Sequence, residues 1–432
     1  MLKVFLSSWA LLLGILLLMI GNGLQGTLMG VRGSIEGFST FELSVVTSAY
    51  FLGFLGGSQL TPGFIRRVGH VRVFAALASF ISAALILYPA LTYPWAWIAL
   101  RVLIGFCFSG VYVTAESWLN NAASNDTRGQ TLSLYMIMQM AGIVISQMLL
   151  NVADPAGFIL FIIPSVLVSI SFAPILLSVV PTPAFDSTRS MSLKQLYTHS
   201  PLGFTGMLVL GGVFAAQFGM SSVYATQIGL SLPQISLFIS LIFVGAMVLQ
   251  YPIGWLSDRM DRRVLIFWVA SIGGAASLLA WMFGPNFYVL LASGFVLGGM
   301  TNPLYSLLIA YTNDYLDVED MAAASGGLIF VNGLGAIGGP VITGWLMTTY
   351  GGSGFWLFIS LLMLMMAAYA AYRMTRRPSA YADEDDYDAV PYATISPAST
   401  LVAVEAAQEY YVDAAEEMAE EEDKPQNMSG TS

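Results

Sequence analysis

The chain is poor in charge, cysteine and histidine. Only 10% of its 432 residues are Asp, Glu, Lys or Arg, against about 25% in soluble domains. With 56% hydrophobic residues, a water-facing globular surface is excluded and a membrane protein is expected. The single cysteine, Cys107, lies inside an apolar run. An intrachain disulfide is excluded, and a small packing residue is the simple reading. The two histidines, His70 and His199, have no partner at metal-ligand spacing, so no metal site is expected. No G-x-x-x-x-G-K-[ST] loop occurs, which counts against ATP-driven work by this chain. No nucleophile stands with a base, so the chain reads as no enzyme. No cofactor and no nucleic-acid partner are expected.

The formal net charge of −10 is misleading. Residues 378–432 hold fourteen of the 26 acids and one cation, Lys424. The remainder carries fifteen Lys and Arg against twelve acids, a mildly basic body. The acidic stretch, with scattered proline, reads as a disordered cytoplasmic tail that buries too little apolar surface to fold.

A spanning helix needs about 20 mostly apolar residues. Twelve such runs are present, near 5–31, 42–65, 71–90, 93–118, 128–151, 157–180, 201–226, 232–257, 264–283, 286–312, 321–349 and 353–374. The first is too long for the core of a cleaved signal and reads as an uncleaved span. The fold class is therefore all-α: twelve transmembrane helices in two six-helix bundles, residues 1–180 and 201–377, joined by a cytoplasmic linker at 181–200. With both termini cytoplasmic, fourteen of the sixteen Lys and Arg fall inside, as the positive-inside rule requires. The loop 313–320 is the anomaly, with no cation and four acids: Asp314, Asp317, Glu319 and Asp320.

Two charged turns divide these runs. One reads Gly63-Phe-Ile-Arg-Arg-Val-Gly-His-Val-Arg72, the other Gly254-Trp-Leu-Ser-Asp-Arg-Met-Asp-Arg-Arg263. Aligning Arg67 with Arg259 gives an offset of 192 residues, the internal symmetry expected of a secondary transporter.

Gly254, Asp258, Arg259, Arg262 and Arg263 resemble the G-x-x-x-D-R-x-G-R-R signature of the major facilitator superfamily. Arg67 and Gly69 match the first copy, where Arg66 replaces the usual Asp. Ala115-Glu-Ser-Trp-Leu-Asn120 with Arg128-Gly-Gln resembles the YcaD-like bacterial branch. In the eleventh run, Gly335, Gly339, Pro340 and Gly344 resemble the family's G-P-x-x-x-G pattern, where a proline kink beside glycines would permit bending. The fifth run has no proline, unlike the drug/proton antiporters. Other glycine pairs at i, i+4 (Gly26/Gly30, Gly53/Gly57, Gly294/Gly298) read as helix-packing surfaces.

Arg101 is the sharpest single residue. It lies eight residues into the fourth run, at a depth where arginine faces a cavity or a partner. Arg101, Gly105, Ser109, Tyr112 and Glu116 share one helical face within about 80°. Snorkelling to the outer surface is the competing reading. Asn22, Gln25, Gln139, Gln217, Asn302, Tyr305 and Asn332 complete the candidate cavity set. The resemblance places helices 1, 4, 7 and 10 along the central path. It also implies an inner gate built from Arg66, Arg67, Gly69, Glu116, Arg128, Asp258, Arg259, Arg262, Glu319 and Asp320. There, Glu116 would bond Arg67 or Arg128, a proton-coupling carboxylate being the competing reading, and Asp258 would face the start of helix 5. Separately from the resemblance, the start of helix 11 disfavours a cation by its dipole yet carries Glu319 and Asp320, so Arg66 or Arg67 is expected to meet one of them.

The function expected is secondary transport of a small solute across the bacterial cytoplasmic membrane, by a monomer. Partners are the solute and the bilayer, with protons a candidate coupling ion. A transporter-like receptor or scaffold signalling through the acidic tail is the alternative.

Overall fold

The structure is a computed structural model. It describes residues 2–122, 125–173, 191–284, 286–316, 318–376, 400 and 404. The side chains of 2–8, 120–122, 125–133, 318, 319 and 322 are outside that description. Regular structure among the described residues is helical: α1 (Leu2–Ile35), α2 (Thr40–Val68), α3 (His70–Leu87), α4 (Pro94–Ala122), α5 (Asn125–Leu149), α6 (Ile159–Ser171), α7 (Leu193–His199), α8 (Pro201–Gln227), α9 (Leu232–Ser257), α10 (Arg262–Phe283), α11 (Phe287–Asn313), α12 (Val318–Tyr350) and α13 (Gly354–Met374).

Ten of these, α1–α4 and α8–α13, are long and apolar enough to cross a membrane. The other two expected spans appear as shorter apolar helices, residues 134–149 of α5 and all of α6. The side chains of the first turns of α5, residues 125–133, lie outside the described residues. The run after α6 passes beyond the described residues. Helix α7 occupies the end of the expected linker. It starts with a capping box, in which Ser192 and Gln195 each accept the other's backbone N–H, satisfying two donors a helix start leaves free. Large side chains such as Tyr251 and Tyr288 stand about 80% exposed (78% and 81%), an arrangement suited to a lipid interface.

Helix pairing repeats along the chain. In the first series α1 packs on α5, α2 on α4 and α3 on α6. In the second α8 packs on α12, α9 on α11 and α10 on α13, each pair seven helices later. Glycine makes the closest approaches. A Cβ on Gly53 would strike the Val102 carbonyl oxygen, and one on Gly105 the Tyr50 carbonyl oxygen. In the second series Gly245 meets Phe295 and Gly298 meets Ile242 in the same way. Gly53 and Gly245 are 192 residues apart, and Gly105 and Gly298 are 193 apart. The packing repeat therefore matches the offset of the charged turns to within one residue.

Gly335 and Gly339 are used likewise, against the backbone of Leu208 and Gly212 in α8, and Gly344 fits against Ser44 of α2. Helix α12 runs through Pro340 as one element. Gly26 differs from the other paired glycines, since a Cβ there would meet nothing within 4 Å.

This contrast yields a prediction. Gly105→Val pushes side-chain atoms into a backbone oxygen that cannot yield, so it should cost about 3 kcal/mol or prevent folding. Gly26→Ala should leave thermal unfolding in detergent unchanged. Equal melting temperatures for the two variants would refute the packing role.

One expectation about the tail needs correction. Thr400 and Val404 are 1% and 0% exposed, so the stretch after 378 does not stay wholly clear of the bundle. Its average composition is acidic, but residues 389–404 contain no charged side chain. Thr400 and Val404 are themselves uncharged, so their burial carries a small desolvation cost.

Candidate functional site

A cavity of about 1180 Å³, its open mouth included, lies among α1, α2, α4 and α5 on one side and α8, α9, α11 and α12 on the other. Aromatic rings supply much of its wall, among them Tyr50, Phe54, Phe214, Phe218 and Phe243. Arg101 is the one charged residue among the lining residues described.

Arg101 is 4% exposed. Its Nη1 donates to Gln25 Oε1 at 2.6 Å, and its guanidinium carbon lies 4.8 Å from the centre of the Tyr50 ring. Gln25 Nε2 donates to Asn22 Oδ1 at 2.9 Å. Asn22 Nδ2 donates to the Tyr112 hydroxyl at 2.7 Å, which donates to Met19 Sδ at 3.2 Å. The chain of bonds runs between α4 and α1 and fixes the guanidinium in place. Arg101 Nε makes no hydrogen bond. Among the described residues no carboxylate forms a salt bridge with Arg101. A buried cation with a free donor and only a cation–π contact for its charge is under-compensated. Its remaining donors present a fork geometry that fits a carboxylate or phosphate.

Six of the nine cavity candidates line this space: Asn22, Gln25, Arg101, Tyr112, Tyr305 and Asn332. Asn332 also donates to the Met207 carbonyl at 3.1 Å. Gln139, Gln217 and Asn302 are buried away from the wall. Gln217 accepts from Thr301 at 2.9 Å, and Asn302 donates to Gln250 at 3.1 Å, so these amides join neighbouring helices. The polar face of α4 divides in the same way. Arg101 and Tyr112 reach the cavity, Gly105 serves the contact with α2, and Glu116 is buried 1% exposed. Gln147 and Thr27 also line the cavity and bond each other at 3.0 Å. The sequence offered no signal to separate them from other isolated polar residues.

The charged turn after α9 is held from within its own series. Arg262 is 1% exposed, and its Nη1 is ion-paired with Asp314 at the end of α11. Its Nε donates to Ser257 Oγ at 3.1 Å, and Asp258 lies 3.6 Å away. Asp261 caps α10, accepting from the Arg263 backbone N–H at 2.9 Å. Arg259 lies over the Trp255 ring at 4.3 Å. Thus one acid of the cation-free loop, Asp314, has its cation 52 residues earlier. Charge counting within the loop could not find it.

The rest of the expected gate is only partly described. Arg66 and Arg67 are exposed at the end of α2, next to Gly69, whose φ of 83° ends the helix. Asp320 is exposed, and among the described residues it does not pair with Arg67. The side chains of Arg128 and Glu319 lie outside the described residues, so their expected partnerships do too. Glu116 has partners other than Arg67: Tyr135 donates to its Oε1 at 2.5 Å, and Thr400 donates to its Oε2.

Comparison with known proteins gives a consistent result. The model of the Major Facilitator Superfamily matches the chain twice, over residues 11–231 and 202–402. The uncharacterized MFS-type transporter YcaD of Escherichia fergusonii is 28% identical over 386 residues, covering 86% of this chain and 97% of the relative. Its counterpart in Escherichia coli O6:K15:H31 is 29% identical over 374 residues, covering 83% and 95%. Among solved structures, the nucleoside transporter NupG is 16% identical and aligns over 85% of this chain and 96% of its own, with a TM-score of 0.65. A bacterial homolog of the human lysosomal transporter Spinster, inward-facing and unoccupied, is 11% identical and aligns over 94% and 98%, with a TM-score of 0.66. At these identities the structures speak for the fold alone.

Proposed function

The chain belongs to the Major Facilitator Superfamily, and on that premise we propose that it is a secondary transporter for a small solute with an anionic group on an apolar or aromatic body. Helices α1–α6 and α8–α13 act as two six-helix bundles that rock about the cavity between them. The repeated helix pairing and the common offset of 192–193 residues support this division. The bacterial cytoplasmic membrane, with both termini inside, suits the distribution of Lys and Arg.

The observation that carries the reading is Arg101: a buried guanidinium, the one described charge in the wall, with no carboxylate ion-paired to it among the described residues. A solute anion there would supply the missing charge, and the Phe and Tyr walls would take its apolar body. A melting-temperature screen of the purified protein tests this. Aromatic or branched carboxylates should stabilise it and their neutral amides should not, since a ligand binding only the folded state raises stability by mass action. Hits then enter proteoliposome uptake, with and without an imposed pH gradient to test protons as the coupling ion. Stabilisation by neutral and anionic analogues alike would overturn the anion preference. Binding without uptake would overturn transport.

A further inference from the structure

We infer that Tyr305 and Asn332 recognise a neutral hydrogen-bond donor at the end of the solute away from its anion. The inference rests on the reading of Arg101 as the anion's partner. It adds a second point of attachment, and with it a substrate class: carboxylates whose aromatic body carries a hydroxyl at its far end.

The two sides of the cavity wall differ. On the side of α1 and α4, Asn22, Gln25 and Tyr112 are bonded with Arg101 in one chain. The side formed by α8, α9, α11 and α12 is aromatic and aliphatic. The Phe218 ring there lies 4.7 Å from Phe214 and 4.9 Å from Phe243, centre to centre. Two described polar side chains interrupt that surface, Tyr305 of α11 and Asn332 of α12. Tyr305 is 1% exposed, and its hydroxyl makes no hydrogen bond among the described residues. Asn332 Nδ2 donates to the Met207 carbonyl at 3.1 Å. A carbonyl can only accept, so this bond fixes which way the amide points. Asn332 Oδ1 is left without a donor among the described residues.

This side of the wall therefore offers one acceptor and one hydroxyl that can both donate and accept. A solute that covers these groups without pairing them bears their desolvation cost. A solute with a matching donor does not, and a polar group built into a pocket discriminates strongly against analogues that lack the match. No described carboxylate lines this side, so an ammonium would lie there without a counter-charge. The matching donor is therefore neutral. Arg101 belongs to one helix series and Tyr305 and Asn332 to the other, so a solute held at both ends ties the two bundles together.

Calorimetric titration of the purified full-length protein tests this without transport. The probes are phenylacetate, 3-phenylpropionate and 4-phenylbutyrate, each beside its 4-hydroxyphenyl and 4-(aminomethyl)phenyl derivatives. One neutral hydrogen bond changes a binding constant by about three- to tenfold. For at least one spacer length, the hydroxyl compound should bind tighter than the unsubstituted one by about that factor. Tyr305→Phe removes only the hydroxyl, so it should erase most of this advantage and leave the affinity of the unsubstituted compound unchanged. Equal affinities within every pair overturn the inference and leave the anion reading standing. A hydroxyl advantage kept in full by Tyr305→Phe overturns recognition by Tyr305. Tighter binding of an aminomethyl probe than of its hydroxyl counterpart overturns the neutral donor. If none of these carboxylates binds, the anion reading fails and this inference falls with it. If Tyr305→Phe does not fold, the comparison of probes on the unaltered protein decides alone.

Discussion

Replacing Arg101 by Met should abolish binding of anionic solutes while leaving the empty protein at least as stable as its parent. The two effects have one cause. A guanidinium buried without a carboxylate is held at a cost in stability, offset in part by Gln25 and the Tyr50 ring. An apolar side chain of similar length removes that cost and removes the anion's partner. The loss in affinity should be about 3 kcal/mol or more, roughly a hundredfold in Kd. Arg101→Lys keeps the charge and loses the planar fork, so it should fall between the two. The comparison needs two measurements, ligand-induced stabilisation and thermal unfolding without ligand. A drop in the melting temperature of the unliganded Arg101→Met protein would show that Arg101 is structural. Unchanged ligand stabilisation would remove it from the binding site.

Replacing Arg262 by Ala should have the opposite profile, a large loss of stability. Arg262 and the Asp314 side chain are 1% and 3% exposed, and together they fix the turn between α9 and α10 to the end of α11. Breaking a buried pair by removing one member typically costs about 3–5 kcal/mol, because the other charge loses its partner in a poorly solvated place. The contact from Arg262 to Asp258, at 3.6 Å with an acid 39% exposed, adds little. Asp314→Asn keeps an acceptor and should cost less than Arg262→Ala. Joint replacement by Met and Leu should recover much of the loss, since a packed apolar pair often matches a buried ion pair. Unfolding in denaturing detergent of the parent, Arg262→Ala, Asp314→Asn and the variant carrying both changes gives the coupling energy. Additive losses would mean that the pair does not act as a unit.

The sequence alone determined a great deal, because the bilayer imposes simple rules. Hydrocarbon requires every backbone group to bond within its own helix, so apolar runs of spanning length can be read as helices one at a time. The repeat was legible for a similar reason. Turns such as Gly63–Arg72 and Gly254–Arg263 must carry charge at a membrane face; that Gly53 and Gly245 match as well emerged only from the packing. Arg101 stood out because an ion inside a span needs a reason to be there.

The tertiary structure decided what each polar or aromatic residue faces. Gln25 and Gln217 look alike in sequence, yet Gln25 holds Arg101 at the cavity and Gln217 bonds Thr301 inside the bundle. Phe54 and Phe218 could as well have faced lipid, since a phenyl ring is equally at home in lipid, core or cavity. The partner of Asp314 is Arg262, and one partner of Glu116 is Thr400, 284 residues away. Periodicity assigns a residue to a face of its own helix, and charge counting assigns it to a side of the membrane. Neither encodes which distant element packs on that face, because those contacts form only when the whole set of helices settles the lowest-energy arrangement of its buried polar groups.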